Sequence, residues 1–205
     1  MRTYDAADPN APTLVLGHGA GAGHDHPWMK KVAQGLADRG VRVVTFDFPY
    51  KAAKKSAPDK PAVLEASFAQ IWRDAHDAAA KDGKRPRKWF AGGKSMGGRI
   101  SSQVAAKSEF APAADGLIFF GYPLHPPGKP EQRRDKHLPD IRVPMLFLHG
   151  SKDPFGTPDE MTALVASLKG ARLELVGKGD HSLEVKRKGY TLDPVLDLAA
   201  SFLGE

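Results

Sequence analysis

The chemistry most legible in this sequence surrounds one hydroxyl. Ser95 sits in "GGKSMGGR", residues 92–99, where four of eight positions are glycine. Glycine loses more backbone freedom on folding than any other residue, so such a cluster needs a reason. The apolar triplet Trp89-Phe90-Ala91 precedes it, and the stretch from Arg99 to Lys107 reads as a helix. Gly93 to Gly97 is then a G-x-S-x-G at a strand–turn–helix corner, the context that gives this motif meaning. There the serine oxygen projects above the strand ends, and the glycines flank it because strand and helix pass too close for side chains. The alternative is a packed turn with an inert serine.

A serine hydroxyl is a weak nucleophile. It needs a base, a carboxylate to orient that base, and donors for the oxyanion. In this type of fold the partners follow in the order Ser, Asp or Glu, His. Asp153 lies in "HGSKDPFGTPDE" and His181 in "GKGDHSLE", each just after an apolar run. Both loops are expected on the sheet rim that carries Ser95. Asp180 competes for the acid role, but it comes from the same loop as His181. Asp159 and Glu160 read as the first turn of a helix, where carboxylates suit the dipole. His18, His24, His26, His125 and His149 could reach the rim, but only His181 follows the last strand.

The oxyanion donors should be the N–H of Met96 and a second N–H from "GHGAGAGHDH", residues 17–26, with Ala20 favoured and Gly21 the alternative. Gly17, Gly19 and Ala22 also fit a relaxed dinucleotide-binding pattern, with Asp47 as a rather late acidic residue. That pattern leaves the serine elbow unexplained, so no cofactor is expected. "HDH" at 24–26 lacks a third metal ligand, so no metal is assigned.

These residues must be positioned by alternating elements. Short apolar runs occur at Thr13–Gly17, Val41–Phe46, Lys88–Ala91, Leu117–Phe120, Met145–Leu148 and Leu173–Val176. Each suits a strand buried on both faces. Between them, apolar residues recur at helical spacing: Trp28 to Ala37, Leu64 to Ala79, Met161 to Leu168 and Leu192 to Phe202. The alternation predicts a parallel sheet covered by helices. One connection, Gly121 to Pro144, is long and rich in proline and charge, without a helical stripe. Connections of that length are usually functional or mobile.

Composition narrows the classes. The chain has 205 residues, enough for one domain with a substantial core, and 41% apolar against 26% charged residues is ordinary soluble usage. No apolar run approaches a membrane span, and the N-terminus lacks the apolar middle of a signal peptide. Cysteine is absent, which excludes disulfide and thiolate chemistry and makes a reducing cytoplasm the expected compartment. Net charge is +6, but the basic clusters fall on separate loops without interleaved aromatics. Solvated loops explain them better than a nucleic-acid surface.

Taken together, "GHGAGAG", "FDFPY", "GGKSMGGR", "GYPLHPPGKP" and "DPFG…GDHS" resemble the α/β-hydrolase superfamily, near its dienelactone-hydrolase-like branch. More narrowly they are similar to the small hydrolase-like domain of testis-expressed proteins and a chromatin-complex subunit, with bacterial relatives. The resemblance runs from about Thr13 to Leu203. It implies one α/β-hydrolase domain over residues 1–205, with a mostly parallel sheet of about six strands flanked by helices. The usual leading strand pair is missing or reduced to Arg2–Asp5, and no cap domain is inserted. It also implies Ser95 as nucleophile, Asp153 as acid and His181 as base.

The expected activity is hydrolysis of a small ester, thioester or lactone through an acyl-enzyme, with a small-molecule acyl substrate and neither nucleic acid nor membrane as partner. Acyl transfer would use the same residues. A noncatalytic interaction module is the reading from another class, though a scaffold has no physical need for all three groups. Arg133, Arg134 and His125 of the long connection are the expected substrate contacts; the charges of that connection, Lys129, Arg133, Arg134, Lys136 and His137, read either as ordinary solvated loop residues or as a lure for an anionic substrate.

Overall fold

A computed structural model describes residues 1–205. The strands are β1 (Arg2–Tyr4), β2 (Thr13–Gly17), β3 (Arg42–Thr45), β4 (Trp89–Lys94), β5 (Gly116–Phe120), β6 (Met145–Gly150) and β7 (Ala171–Val176). The helices are α1 (Pro27–Ala37), α2 (Pro49–Ala52), α3 (Pro61–Lys81), α4 (Met96–Ala106), α5 (Pro158–Ala166) and α6 (Asp193–Gly204). The sheet order is β1-β3-β2-β4-β5-β6-β7. Every pairing is parallel except β1 with β3. The seven strands are the six apolar runs plus β1, the reduced leading strand, whose three residues pair antiparallel with Val43, Val44 and Thr45. With only three residues to pair, β1 carries no apolar run of its own.

The central strands β2, β4, β5 and β6 are buried along their whole length, which is why their sequences are apolar without alternation. Helices cover both faces. On one, Phe68 and Trp72 of α3, Ile100 and Val104 of α4 and Met161 of α5 pack on Val15, Ala91, Phe119 and Phe147. On the other, Met29, Val32 and Leu36 of α1 and Val195, Leu196 and Phe202 of α6 pack on Leu14, Leu16, Ile118 and Leu148. Chain order reverses between β2 and β4, and ligands in open α/β sheets bind beyond the carboxyl ends of the strands at such a point.

Helix starts follow local chemistry. Proline stands in the first turn of α1, α2, α3 and α5, where its missing N–H costs nothing. Thr157 and Glu160 form a reciprocal capping box on α5, so Asp159 and Glu160 do lie in a first helical turn. The connection from Gly121 to Pro144 contains one short 3-10 turn, Leu138–Asp140. It is pinned rather than free, with Tyr122, Leu124 and Leu138 fully buried. No helix of the structure is long and apolar enough to cross a membrane.

Candidate active site

The elbow is longer in β4 and earlier in α4 than periodicity suggests. β4 continues through Gly92 and Gly93 to Lys94, and α4 begins at Met96, so Ser95 alone turns the corner. Its backbone lies at φ 50 and ψ −113, and its N–H donates to the Phe120 carbonyl at 3.1 Å. Such a conformation in a non-glycine residue costs about 1–3 kcal/mol and persists only where its surroundings enforce it. They do so here by close approach. A Cβ on Gly93 would stand 2.5 Å from the Gly17 carbonyl oxygen, and one on Gly97 would overlap the Gly17 backbone. Strand, elbow and helix meet without room for a methyl group.

Asp153 follows β6 and is buried. Its Oδ2 accepts from His181 Nδ1 at 2.8 Å, and its Oδ1 accepts the Phe155 N–H at 2.9 Å. Burial alone would raise its pKa. The hydrogen bond and charge of His181, the Phe155 N–H and the nearby His149 outweigh that and hold it below the ordinary carboxylate value. His181 is thereby assigned the tautomer with hydrogen on Nδ1, leaving the Nε2 lone pair free. Its ring stacks on Phe155 at 4.2 Å between centroids. Asp180 instead folds onto its own loop, its Oδ1 accepting the N–H groups of Ser182 and Glu184. The carboxylate that reaches the imidazole is therefore that of Asp153.

Ser95 and His181 face one cavity of about 430 Å³, although no hydrogen bond joins the serine hydroxyl to the imidazole. Hydrogen bonds of this kind often tighten only when substrate is bound. The loop after β2 forms the other wall. Its Ala20 and Gly21 carbonyls accept from Tyr50 Oη at 2.8 Å and Lys51 Nζ at 3.4 Å, while their N–H groups have no acceptor within the protein. With Met96 at the helix start, these are the free donors beside Ser95.

The other histidines of the rim have structural partners. Buried His18 donates from Nδ1 to the Gly19 carbonyl at 2.8 Å and accepts the Phe48 N–H at 3.0 Å, and burial lowers its pKa. His149 bonds the Gly156 carbonyl at 2.9 Å, and His26 caps α1 through the Trp28 N–H. Asp47 accepts the His24 N–H at 2.8 Å, so it braces the glycine loop. No group of three or more His, Asp or Glu side chains is arranged to hold a metal.

The expected substrate contacts divide. Arg134 lines a second cavity beside Ser95. Arg133 does not: it is exposed and paired with Asp135 two residues on. His125 does not either. It is buried, bonded to the Pro126 carbonyl at 2.8 Å and to Glu160 at 3.3 Å, because the apolar residues Tyr122 and Leu124 draw that part of the connection into the core.

Two positively charged residues of the site were not singled out from sequence. Arg99 lies one helical turn after Ser95 and lines the second cavity. Lys94, the residue between Gly93 and Ser95, is 9% exposed and donates to the His181 carbonyl. Burial pushes its pKa down to about 8, against the opposing pull of Asp153, Asp180 and Glu184. Both belong to "GGKSMGGR", so a charged residue inside an otherwise tightly packed motif was the available signal.

A family model described as an alpha/beta hydrolase domain matches residues 10–205. Among solved structures, dienelactone hydrolase from Anabaena variabilis aligns with a TM-score of 0.74 at 18% identity, covering 97% of this chain and 88% of that one. Est1E from Butyrivibrio proteoclasticus aligns with a TM-score of 0.67 at 15% identity, covering 96% and 88%. The monoacylglycerol lipase of Paleococcus ferrophilus aligns with a TM-score of 0.71 at 16% identity, covering 98% and 96%. At these identities the likeness is one of fold. With a family match running from Asn10 to Glu205 over the sheet and elbow described above, the chain belongs to the α/β-hydrolase family.

Proposed function

We propose that the protein is a serine hydrolase that cleaves a small carboxylic ester, thioester or lactone through an acyl-enzyme. The observation that carries this reading is the 2.8 Å bond from His181 Nδ1 to buried Asp153, in a cavity that the elbow serine Ser95 shares. In acylation, Ser95 Oγ forms a bond to the carbonyl carbon and its proton passes to His181 Nε2. The carbonyl oxygen gathers negative charge at the N–H groups of Met96 and Ala20, or Gly21. The bond from the acyl carbon to the leaving oxygen, or to sulfur in a thioester, then breaks, and that atom takes the proton from His181. Water repeats the sequence: its proton goes to His181, its oxygen bonds to the acyl carbon, and Ser95 recovers its proton. Asp153 stays ionised, orienting the imidazole and stabilising its charged form. Every proton is accounted for by these groups, so the reading invokes no cofactor or metal. Two proteins of similar fold, a dienelactone hydrolase and a monoacylglycerol lipase, bear names consistent with ester chemistry.

The test is labelling with a fluorophosphonate, followed by mass mapping of the adduct. Modification of Ser95, lost in Ser95→Ala together with hydrolysis of phenyl acetate, is the expected result. A labelled serine elsewhere, or undiminished hydrolysis by Ser95→Ala, refutes the reading.

A further inference from the structure

Ser95 stands between two cavities. One, of about 430 Å³, is bordered by Trp28, Met29, His181 and Ser182. The other, of about 370 Å³, is bordered by Met96, Arg99, Asp59, Leu64, Pro123 and Arg134. Ala20, Ser95 and Phe155 belong to both. Reaction chemistry orients an ester across this junction. The leaving oxygen must be protonated by His181, so the alcohol lies on the His181 side, against Trp28 and Met29. The acyl chain extends the other way, into the cavity that His181 does not border.

That second cavity carries two guanidinium groups. Arg99 is four residues beyond Ser95 on α4, about 6 Å of helical rise. Its Nε is buried with no hydrogen-bond partner, and its Nη1 reaches only Gln103 Oε1 at 3.3 Å. Arg134 is set in place through its backbone: its N–H donates to the Leu124 carbonyl at 2.8 Å and its carbonyl accepts from Tyr122 Oη at 2.8 Å. Neither guanidinium forms an ion pair or a hydrogen bond with a carboxylate. Burial, and then the charge of Arg134 beside it, lowers the pKa of Arg99. A buried donor without an acceptor is costly, and an arriving acceptor would recover that cost.

The charge count selects the ligand. Two guanidinium groups face a single carboxylate in the lining, Asp59, whose Oδ2 is buried and unpartnered. The cavity is left with one net positive charge, which suits a singly charged anion. A phosphate monoester would bring about −1.5 to −2 at neutral pH. A carboxylate brings one charge and a planar pair of oxygens that match the guanidinium fork.

We propose that Arg99 and Arg134 form the carboxylate-binding end of the acyl subsite, so that the preferred substrate is a monoester of a short dicarboxylic acid with an apolar alcohol. The proposal rests on Ser95 acting as an esterase nucleophile. It differs from long-range steering by surface charge, because the anion is held in a cavity that also contains the scissile carbonyl.

The experiment uses monobenzyl glutarate and, as its neutral counterpart, benzyl pentanoate, with release of benzyl alcohol as the readout. The wild type is expected to prefer the anionic ester by about 100-fold in kcat/KM, a typical scale for a charge-assisted pair. In Arg134→Gln and Arg99→Met the ratio of the two kcat/KM values should fall to within about threefold of unity, while Arg99→Lys retains part of it. Arg134 sits on a half-buried loop, so Arg134→Gln gives a folded variant if Arg99→Met does not.

A binding arm separates this proposal from the hydrolase reading. Monobenzyl glutarate should raise the Tm of Ser95→Ala, benzyl pentanoate should not, and Arg134→Gln should remove the shift. A Tm shift without hydrolysis of either ester by the wild type keeps the anion site and refutes the hydrolase. Ser95-dependent hydrolysis of both esters at equal efficiency keeps the hydrolase and overturns the anion site. Neither hydrolysis nor a Tm shift overturns both.

Discussion

Replacing Lys94 with methionine tests whether its charge is held in the site at a cost. Burial moves its pKa from 10.5 to about 8. At about 1.4 kcal/mol per unit, the native state holds this ammonium at neutral pH with a penalty of roughly 3 kcal/mol. Folded Lys94 gives up its proton before unfolded Lys94 does. Between about pH 8 and 10.5 the unfolded chain therefore binds more protons, and stability rises with pH through that window. Urea unfolding of wild type and Lys94→Met at pH 7 and pH 9.5 isolates this group, since other titrations cancel in the difference. The wild type should gain roughly 2 kcal/mol on the variant between the two pH values. A difference that moves by less than about 0.5 kcal/mol would refute the reasoning, because solvation or an anionic partner would then be compensating the charge. Activity gives a second readout. Lys94 Nζ ties the His181 carbonyl to the elbow, so the variant should lose about tenfold or more in kcat with KM little changed, as the imidazole drifts.

Gly121 has φ 68, and a Cβ there would stand 2.6 Å from the His181 carbonyl oxygen and 3.3 Å from His181 Nδ1. Gly121→Ala should therefore lower Tm and reduce kcat by at least about tenfold, and ordinary activity in this variant would show that the His181 loop is not held against β5. His181→Ala should cost as much kcat as Ser95→Ala, on the order of 10⁴-fold or more, because the two act as a unit. Unequal losses in single-turnover assays would count against a shared proton transfer. Asp153→Asn should be severe and Asp180→Asn mild in esterase assays, since only Asp153 bonds the imidazole, and the reverse order would move the acid to Asp180. The depressed pKa of Asp153 also stabilises the native state above the unfolded carboxylate range and ceases to do so as pH falls through its folded value. Acid unfolding of Asp153→Asn should accordingly depend less steeply on pH than that of the wild type.

The sequence by itself determined the features that rest on local chemistry. Alternating apolar runs and helical stripes dictate a buried parallel sheet with helices on both faces, because each element must hide its own apolar residues. Ser95 at a tight corner was equally legible from the G-x-S-x-G spacing between a strand and a helix, although the backbone that excludes a side chain at Gly93 and Gly97 is that of Gly17, which only the fold brings there. Asp159 and Glu160 were legible as a first helical turn, because the dipole of their own helix favours carboxylates there. The leading strand β1 was only half legible, as three exposed or half-buried residues carry no pattern and are strands only because β3 offers an edge.

Tertiary structure decided everything that depends on which loops meet. Asp153 was favoured over Asp180 from sequence because Asp180 shares the loop of His181, but only the folded loops show that one reaches the imidazole while the other caps its own turn. Arg133 and Arg134 are adjacent and identical in type. Yet the backbone bonds of Arg134 to Tyr122 and Leu124 place it at a cavity, while Arg133 finds Asp135 at the surface. Arg99 and Lys94 acquire their meaning from burial beside Ser95, a property of packing from elements far away in the chain. Burial and charge environment are sums over neighbours in space, and a linear sequence specifies those neighbours only once it has folded.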